Sequence, residues 1–278
     1  MLEAALIQLN SGDQPAENLA ITQSLIAEAA GKGAGFVLTP EVTNCVSASR
    51  AQQDEVLQTE DDDQTLYALR QQADALGVWL LIGSLALKTD SPDGRFVNRS
   101  FLIAPDGGID ARYDKMHMFD VTVSEKETYH ESKGYQPGAQ AVIANLDGAQ
   151  VGLSICYDLR FAYLYRALAQ AGASILTVPS AFSPATGPMH WEPLLRARAI
   201  ETGSFVLAPA QTGQHAATQG KTRETYGHSM AISPWGEVLC DGGKKPGISL
   251  ISLDLSHTTT VRSRIPSLAH DRAFTGPI

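Results

Sequence analysis

Short apolar runs alternate along this chain with stretches in which apolar residues return every three or four positions. Residues 2–9 predict a first strand. A polar turn, Ser11-Gly12-Asp13-Gln14, then places Pro15 where a proline suits the first residue of a helix. Leu19, Thr22, Ile26 and Ala29 trace one face of that helix, and Gly31-Lys32-Gly33 ends it. Residues 35–38 form a second buried strand, which runs into Thr39-Pro40-Glu41. Residues 45–58 read as irregular. The next helix carries Leu66, Leu69, Ala73 and Leu76, with Thr59 as its expected N-cap and the acids 60–63 on the positive end of its dipole. Residues 78–87 form a nearly all-apolar strand and residues 96–104 another strand, followed by the turns Ser91-Pro92-Asp93-Gly94 and Pro105-Asp106-Gly107-Gly108 respectively. Strands therefore also pair as hairpins, and the sheet is mixed rather than purely parallel.

The second half repeats the alternation. Residues 121–140 are polar and turn-rich. Residues 142–146 then lead through Asp147-Gly148, a hairpin signal, into the strand 151–155. Cys156 stands at the end of that strand, and Phe161, Leu164, Leu168 and Ala171 give the helix expected directly after it. Strands at 173–178 and 205–210 flank a Gly/Pro-rich loop, 183–189, and a helix, 191–202. That helix has Glu192/Arg196 and Arg198/Glu201 at salt-bridge spacing. A polar loop at 213–225 precedes strands at 226–232, 237–239 and 248–253. A short helix near 256–264 opens a tail, about 256–278, that is expected to dock on a partner subunit. No linker or internal repeat interrupts residues 1–278, which read as one α/β domain.

Composition narrows the class. A net charge of −9 argues against nucleic acid as a partner, so an anionic substrate would need a local cationic pocket. Three cysteines without paired spacing argue against a disulfide framework. The N-terminus lacks a basic leader, and no apolar run approaches the roughly 20 residues of a membrane span. The expectation is a cytoplasmic protein with no membrane role.

Three groups stand beside apolar runs: Glu41, Lys115 and Cys156. Taken alone, Cys156 reads as a buried structural thiol or as a nucleophile activated at a helix N-terminus. A Pro-Glu pair is common and does not by itself mark Glu41. Lys115, between Tyr113 and Met116, reads on its own window as a surface lysine resting its stem on apolar neighbours. Together the three offer what amide hydrolysis needs. The thiol is a nucleophile, a carboxylate of raised pKa can shuttle the proton, and the cation can face a developing oxyanion and favour the thiolate. Phosphate-binding, dinucleotide, G-x-S-x-G, H-E-x-x-H and C-x-x-C motifs are absent, so no metal or cofactor is expected. The acids 60–63 read better as helix-end charges than as a metal site.

Three windows resemble, in order, the signature motifs of the nitrilase superfamily of carbon–nitrogen hydrolases. They are Thr39-Pro40-Glu41, Tyr113-Asp114-Lys115-Met116-His117-Met118-Phe119-Asp120, and the ten residues from Gly152 through Cys156 to Phe161. The resemblance implies a four-layer α-β-β-α sandwich, extended across a homodimer, and a Glu41–Lys115–Cys156 triad with Glu131 as the family's second glutamate. Thr39 departs from the bulky apolar residue more usual before the Pro-Glu pair. Pro179-Ser180-Ala181-Phe182, Thr186-Gly187-Pro188-Met189-His190-Trp191-Glu192 and Arg196-Ala197-Arg198-Ala199-Ile200-Glu201 are similar to two related amidase groups. One takes deaminated glutathione, to which this chain leans, and the other takes 2-oxoglutaramate. The resemblance further implies Tyr157, Arg160, Phe182 and Thr186 as substrate-binding residues, with Arg160 and Thr186 on the acid end of a 2-oxo acid amide. For Arg160 the competing reading is a local ion pair with Asp158. The rivals in function are a nitrilase, an N-carbamoyl amino-acid hydrolase, and a binding protein that has lost catalysis.

Overall fold

The computed structural model describes residues 1–124 and 127–276. The chain opens with β1 (Leu2–Gln8), α1 (Pro15–Gly31), β2 (Phe36–Leu38), α2 (Arg50–Val56) and α3 (Gln64–Leu76). It continues through β3 (Trp79–Leu87), β4 (Val97–Ile103) and β5 (Ile109–Asp114). A small hairpin, β6 (Asp120–Ser124) and β7 (Glu127–His130), leads to β8 (Ile143–Leu146), β9 (Ala149–Leu153), α4 (Ala162–Gln170), β10 (Ile175–Thr177), α5 (Gly187–Thr202) and β11 (Phe205–Ala208). A second small hairpin, β12 (Thr212–Gln214) and β13 (Glu224–Tyr226), precedes β14 (Met230–Ile232), β15 (Val238–Asp241), β16 (Gly247–Leu253) and α6 (Ser256–Arg264).

Two six-stranded mixed sheets result, ordered β16-β1-β2-β3-β4-β5 and β15-β14-β11-β10-β9-β8. Each has a parallel centre, β1-β2-β3 or β9-β10-β11, with antiparallel strands on either side. Ala4, Leu6, Leu38 and Leu81 of the first sheet share one core with Val151, Leu153, Ile175 and Leu207 of the second. The alternate residues Ala5, Ile7, Val37 and Leu80 pack instead with Ile26 of α1 and Leu69 of α3. Helices α4 and α5 cover the outside of the second sheet through Leu164, Leu168, Trp191 and Leu195. This is the expected α-β-β-α sandwich. Strands buried on both faces show no polar alternation, so all nine residues of β3 are buried and the sequence reads as one apolar run.

The differences from expectation have local causes. Helix α2 occupies part of the segment read as irregular. It is seven residues long, capped by Ser49 accepting the Gln52 N–H, and too short to show a period. Strands β6, β7, β12 and β13 are short and polar, so they read as loops. Helix α5 starts four residues before the expected Trp191, because Pro188 sits in its first turn, where proline is well accommodated. The segment expected as a strand from 226 is extended only at Met230–Ile232, after Tyr226 has paired in β13. Within the chain, the tail makes its own contacts, with Arg262 donating to the Thr202 and Ala173 carbonyls and Gln170 donating to the Leu268 carbonyl, which leaves the expected docking on a partner subunit untouched. Residues 277 and 278 of the expected docking tail lie outside the described residues. Among the described residues, no helix is long and apolar enough to cross a membrane.

The cap of α3 is Asp63, not Thr59. Asp63 accepts the Leu66 N–H at 2.7 Å, while Thr59 donates to Asp62 and Glu60 turns away to bind Arg99 and Arg112. Burial raises the Asp63 carboxyl to about 6, against the opposing hydrogen bonds from the Leu66 and Thr65 N–H groups and Asn44. A carboxyl whose pKa is higher folded than unfolded holds its proton better in the folded state. Its contribution to stability therefore falls as pH rises from about 4 to about 6. Asp63→Asn keeps a capping oxygen without the buried charge. Its melting temperature relative to the parent should therefore rise over that interval in thermal scans. A difference that stays flat with pH would contradict this.

Candidate active site

Glu41 follows β2 on a turn in which Val42 takes a left-handed backbone (φ 47°). The turn lies against a glycine of β3, since a Cβ on Gly83 would stand 2.0 Å from the Thr39 carbonyl oxygen. The Thr39 hydroxyl accepts the Gly83 N–H at 3.0 Å, and the Ser84 hydroxyl accepts the Val42 N–H at 2.8 Å. Thr39, the departure from the family pattern, thus anchors the turn through its hydroxyl. The Glu41 carboxylate is 4% exposed. One oxygen accepts from Asn98 Nδ2 and Lys115 Nζ, each at 2.9 Å, and the other accepts the Ala181 N–H at 2.8 Å.

Lys115 follows β5. Its N–H donates to the Asn98 carbonyl at 3.0 Å, and its carbonyl accepts the Gly138 N–H at 2.8 Å. Gly138 is required there, because a Cβ would come within 2.2 Å of the Asp114 carbonyl oxygen. The surface placement read from the local window is overturned. Lys115 is 2% exposed, and its ammonium donates to Glu41 at 2.9 Å and to both Glu131 oxygens at 2.8 and 2.9 Å. The carboxylates that bury it lie far away in sequence, where a window around residue 115 does not reach. Glu131, on a single turn of 3₁₀ helix after β7, also accepts the Phe119 N–H at 2.6 Å.

Cys156 stands just beyond β9 with a left-handed backbone (φ 48°), a conformation rare for a residue with a side chain. Its N–H donates to the Pro179 carbonyl at 3.0 Å. A short 3₁₀ turn, Cys156–Arg160, follows, and α4 begins only at Ala162. The α-helix N-terminus expected directly after the thiol is therefore displaced from it. The turn is held by Asp158, which is fully buried. One Asp158 oxygen accepts the Ile155 N–H at 2.9 Å and the Tyr113 hydroxyl at 2.7 Å. The other accepts the His117 N–H at 3.0 Å. Asp158 so ties the Cys156 turn to residues on either side of Lys115. It makes no ion pair with Arg160, the competing reading from sequence. Arg160 instead lies 5.9 Å from the Tyr157 ring and 5.6 Å from the Phe182 ring, with His190 Nδ1 at 3.3 Å.

Glu41, Lys115, Cys156, Glu131, Tyr157, Phe182 and Thr186 all line one cavity of about 810 Å³. Arg160 borders it through the rings of Tyr157 and Phe182. The Thr186 hydroxyl oxygen and Asn98 Oδ1 are buried without hydrogen-bond partners among the described residues, and both residues line the cavity. Asn98 was missed from sequence, because in β4 it stands beside Arg99 and Ser100 and reads as one more polar residue. Gln211, which donates to the Glu41 carbonyl at 3.1 Å, carried no signal either.

The charge states differ from those expected. Burial alone would raise the Glu41 carboxyl, but the Lys115 ammonium and hydrogen bonds from Lys115, the Cys156 thiol and Ala181 hold it below the ordinary value. Burial would lower Lys115, but Glu131 and Glu41 hold it well above. Burial and the Glu41 carboxylate push the Cys156 thiol up, and Lys115 opposes them only in part. The resting site is therefore an ionised Glu41, an ammonium and a neutral thiol. The raised carboxyl expected from sequence is reversed, and the pull of Lys115 toward the thiolate is outweighed by burial and the Glu41 charge.

Comparison with known proteins agrees with this architecture. A family model described as carbon–nitrogen hydrolase matches residues 3–263. The chain is 37% identical over 270 residues to the deaminated glutathione amidase of Yersinia enterocolitica, covering 96% of this chain and 92% of that one. It is 36% identical over 273 residues to the Homo sapiens protein of the same name, covering 96% and 81%. Among solved structures, the C. elegans NitFhit protein superposes with a TM-score of 0.90 at 33% identity, over 98% of this chain and 65% of that one. Saccharomyces cerevisiae Nit3, a member of branch 10 of the nitrilase superfamily, superposes with a TM-score of 0.85 at 26% identity, over 98% and 97%. The chain belongs to the carbon–nitrogen hydrolase family of the nitrilase superfamily, and it is a hydrolase of carbon–nitrogen bonds other than peptide bonds.

Proposed function

We propose that this hydrolase is an amidase that works through a Cys156 thioester, with deaminated glutathione as its substrate. The observation that carries the mechanism is the Glu41 carboxylate, which accepts a hydrogen bond from the Lys115 ammonium at 2.9 Å and shares one buried cavity with the Cys156 thiol. Because the thiol is neutral at rest, Glu41 takes its proton as the sulfur attacks the amide carbon. The oxyanion faces Lys115 and the Tyr157 N–H, and a donor so placed is typically worth about 3–4 kcal/mol. Glu41 then gives the proton to the departing amine, which leaves a thioester on Cys156. Water, deprotonated by Glu41, releases the acid and restores the thiol. Glu131 keeps Lys115 charged and aimed by engaging its ammonium with both carboxylate oxygens.

Two features support an oxo-acid substrate. The Arg160 guanidinium, released from Asp158 and resting on Tyr157 and Phe182, is placed to fork onto a carboxylate. The Thr186 hydroxyl is an unspent hydrogen-bonding group in the same cavity. The names of the relatives agree with this choice.

Deaminated glutathione, 2-oxoglutaramate, a nitrile and an N-carbamoyl amino acid, assayed side by side, should rank deaminated glutathione first by kcat/KM. Cys156→Ala should abolish turnover of every substrate, and retained activity would refute the mechanism. Arg160→Met should raise KM for oxo-acid amides at least tenfold more than for neutral amides, on the order of one charge-assisted contact. Equal losses on both would remove Arg160 from the acid end.

A further inference from the structure

The protein carries a net charge of −9, yet one wall of its cavity is cationic. Beyond the Glu41–Lys115–Glu131 group, Arg50, Lys133, Lys221 and Arg223 line the cavity, and among the described residues Glu224 is the carboxylate beside them. Arg50 is committed elsewhere. It lies 3.6 Å over the Phe96 ring, pairs with Asp54 and donates to the Gly134 carbonyl. Among the described residues, Arg223 and Lys221 form no ion pair. Unpaired cations facing a cavity are free to bind an anion there.

Their position is fixed by the connection between β12 and β13. The Arg223 carbonyl accepts the His215 N–H at 2.9 Å, and the His215 ring bridges the Ser11 carbonyl and the Thr225 hydroxyl, each at 2.7 Å. Burial holds His215 down at about 4, so it is neutral and adds no charge of its own. Thr218 donates to Asp13 through its N–H at 2.6 Å and its hydroxyl at 2.9 Å. The connection therefore sits over Ser11 and Asp13, and the charge of Arg223 is felt by Cys45 and Tyr135, which line the cavity on that side. Arg160 stands apart from these residues, against the rings of Tyr157 and Phe182, so the site offers a second cationic position. With the acid of the acyl half given to Arg160, Arg223 is left for the departing half.

We propose that Arg223, assisted by Lys221, binds a carboxylate at the far end of the departing amine, so that the preferred substrates are amides with an acid on both halves. This rests on the amidase reading above and adds the residues that recognise the departing half. The size of the cavity agrees, because about 810 Å³ accommodates an amine half the size of a dipeptide as well as a five-carbon acyl half.

The test uses two matched secondary amides of one 2-oxo dicarboxylic acid. In one the amine half ends in the glycine carboxylate, and in the other it ends in neutral glycinamide. The wild-type enzyme should prefer the acid about tenfold in kcat/KM, mainly through KM, and Arg223→Gln should bring that ratio close to one. Lys221→Gln should lower it by a smaller factor. A wild-type ratio near one, or an unchanged ratio in Arg223→Gln, would overturn the assignment. Calorimetric binding of both amides to Cys156→Ala, with and without Arg223→Gln, separates this assignment from the amidase reading. If neither amide is hydrolysed the amidase reading fails. In that case tighter binding of the acid that depends on Arg223 still supports the subsite, and equal binding of the two overturns it.

Discussion

One ammonium held between two carboxylates governs this site. Removing an ion from water costs several kcal/mol even after the protein relaxes, and that cost is offset only when geometry and hydrogen bonds are good. Lys115 meets the condition with all of its reach, through one contact to Glu41 and two to Glu131. The consequences spread outward. Glu41 stays ionised despite burial, because the cation is adjacent. The thiol in the same cavity stays protonated, because burial and that carboxylate outweigh the ammonium. Such a site stores no reactive thiolate. In the mechanism proposed above, a thiolate forms only when a substrate is in place to receive the sulfur.

The fold delivers these groups from distant parts of the chain. Glu41 comes from the end of parallel strand β2 in the first sheet, Lys115 from the end of the antiparallel edge strand β5 of the same sheet, and Cys156 from beyond parallel strand β9 in the second. Close backbone approaches at Gly83 and Gly138 leave no room for a side chain and so fix the Glu41 and Lys115 turns. Asp158 then joins the two sheets behind the site, bonding Tyr113 and His117 from one side and Ile155 from the other. The candidate catalytic groups thus sit just past strand ends, on turns held by hydrogen bonds and close backbone approaches.

Much of this was legible in the sequence for physical reasons. A strand buried on both faces is apolar throughout, so β3 stands out without a partner in view, and the apolar runs inside β1 and β9 nearly so. Asp147-Gly148 supplies two left-handed residues, which a two-residue hairpin needs, and β8–β9 follows from it. What stayed hidden depended on long-range neighbours. Lys115 reads as a surface residue until Glu41 and Glu131 surround it. Activation of the Cys156 thiol by a helix N-terminus depended on an α-helix directly after it, and Asp158 instead folds that segment into a tighter turn. Thr59 reads as a cap until Arg99 and Arg112 draw Glu60 away and leave Asp63 to cap α3. The polar hairpins bury too little to leave a pattern.

The central claim is that the resting enzyme holds a neutral thiol beside an ionised glutamate. It is tested most directly by ultraviolet titration of thiolate absorbance in the wild-type protein minus the same signal in Cys156→Ala, which cancels Cys45 and Cys240. The account predicts no thiolate step for Cys156 below about pH 9, because burial and the Glu41 charge both hold the proton on sulfur. A thiolate step with its midpoint near or below neutral pH would contradict it.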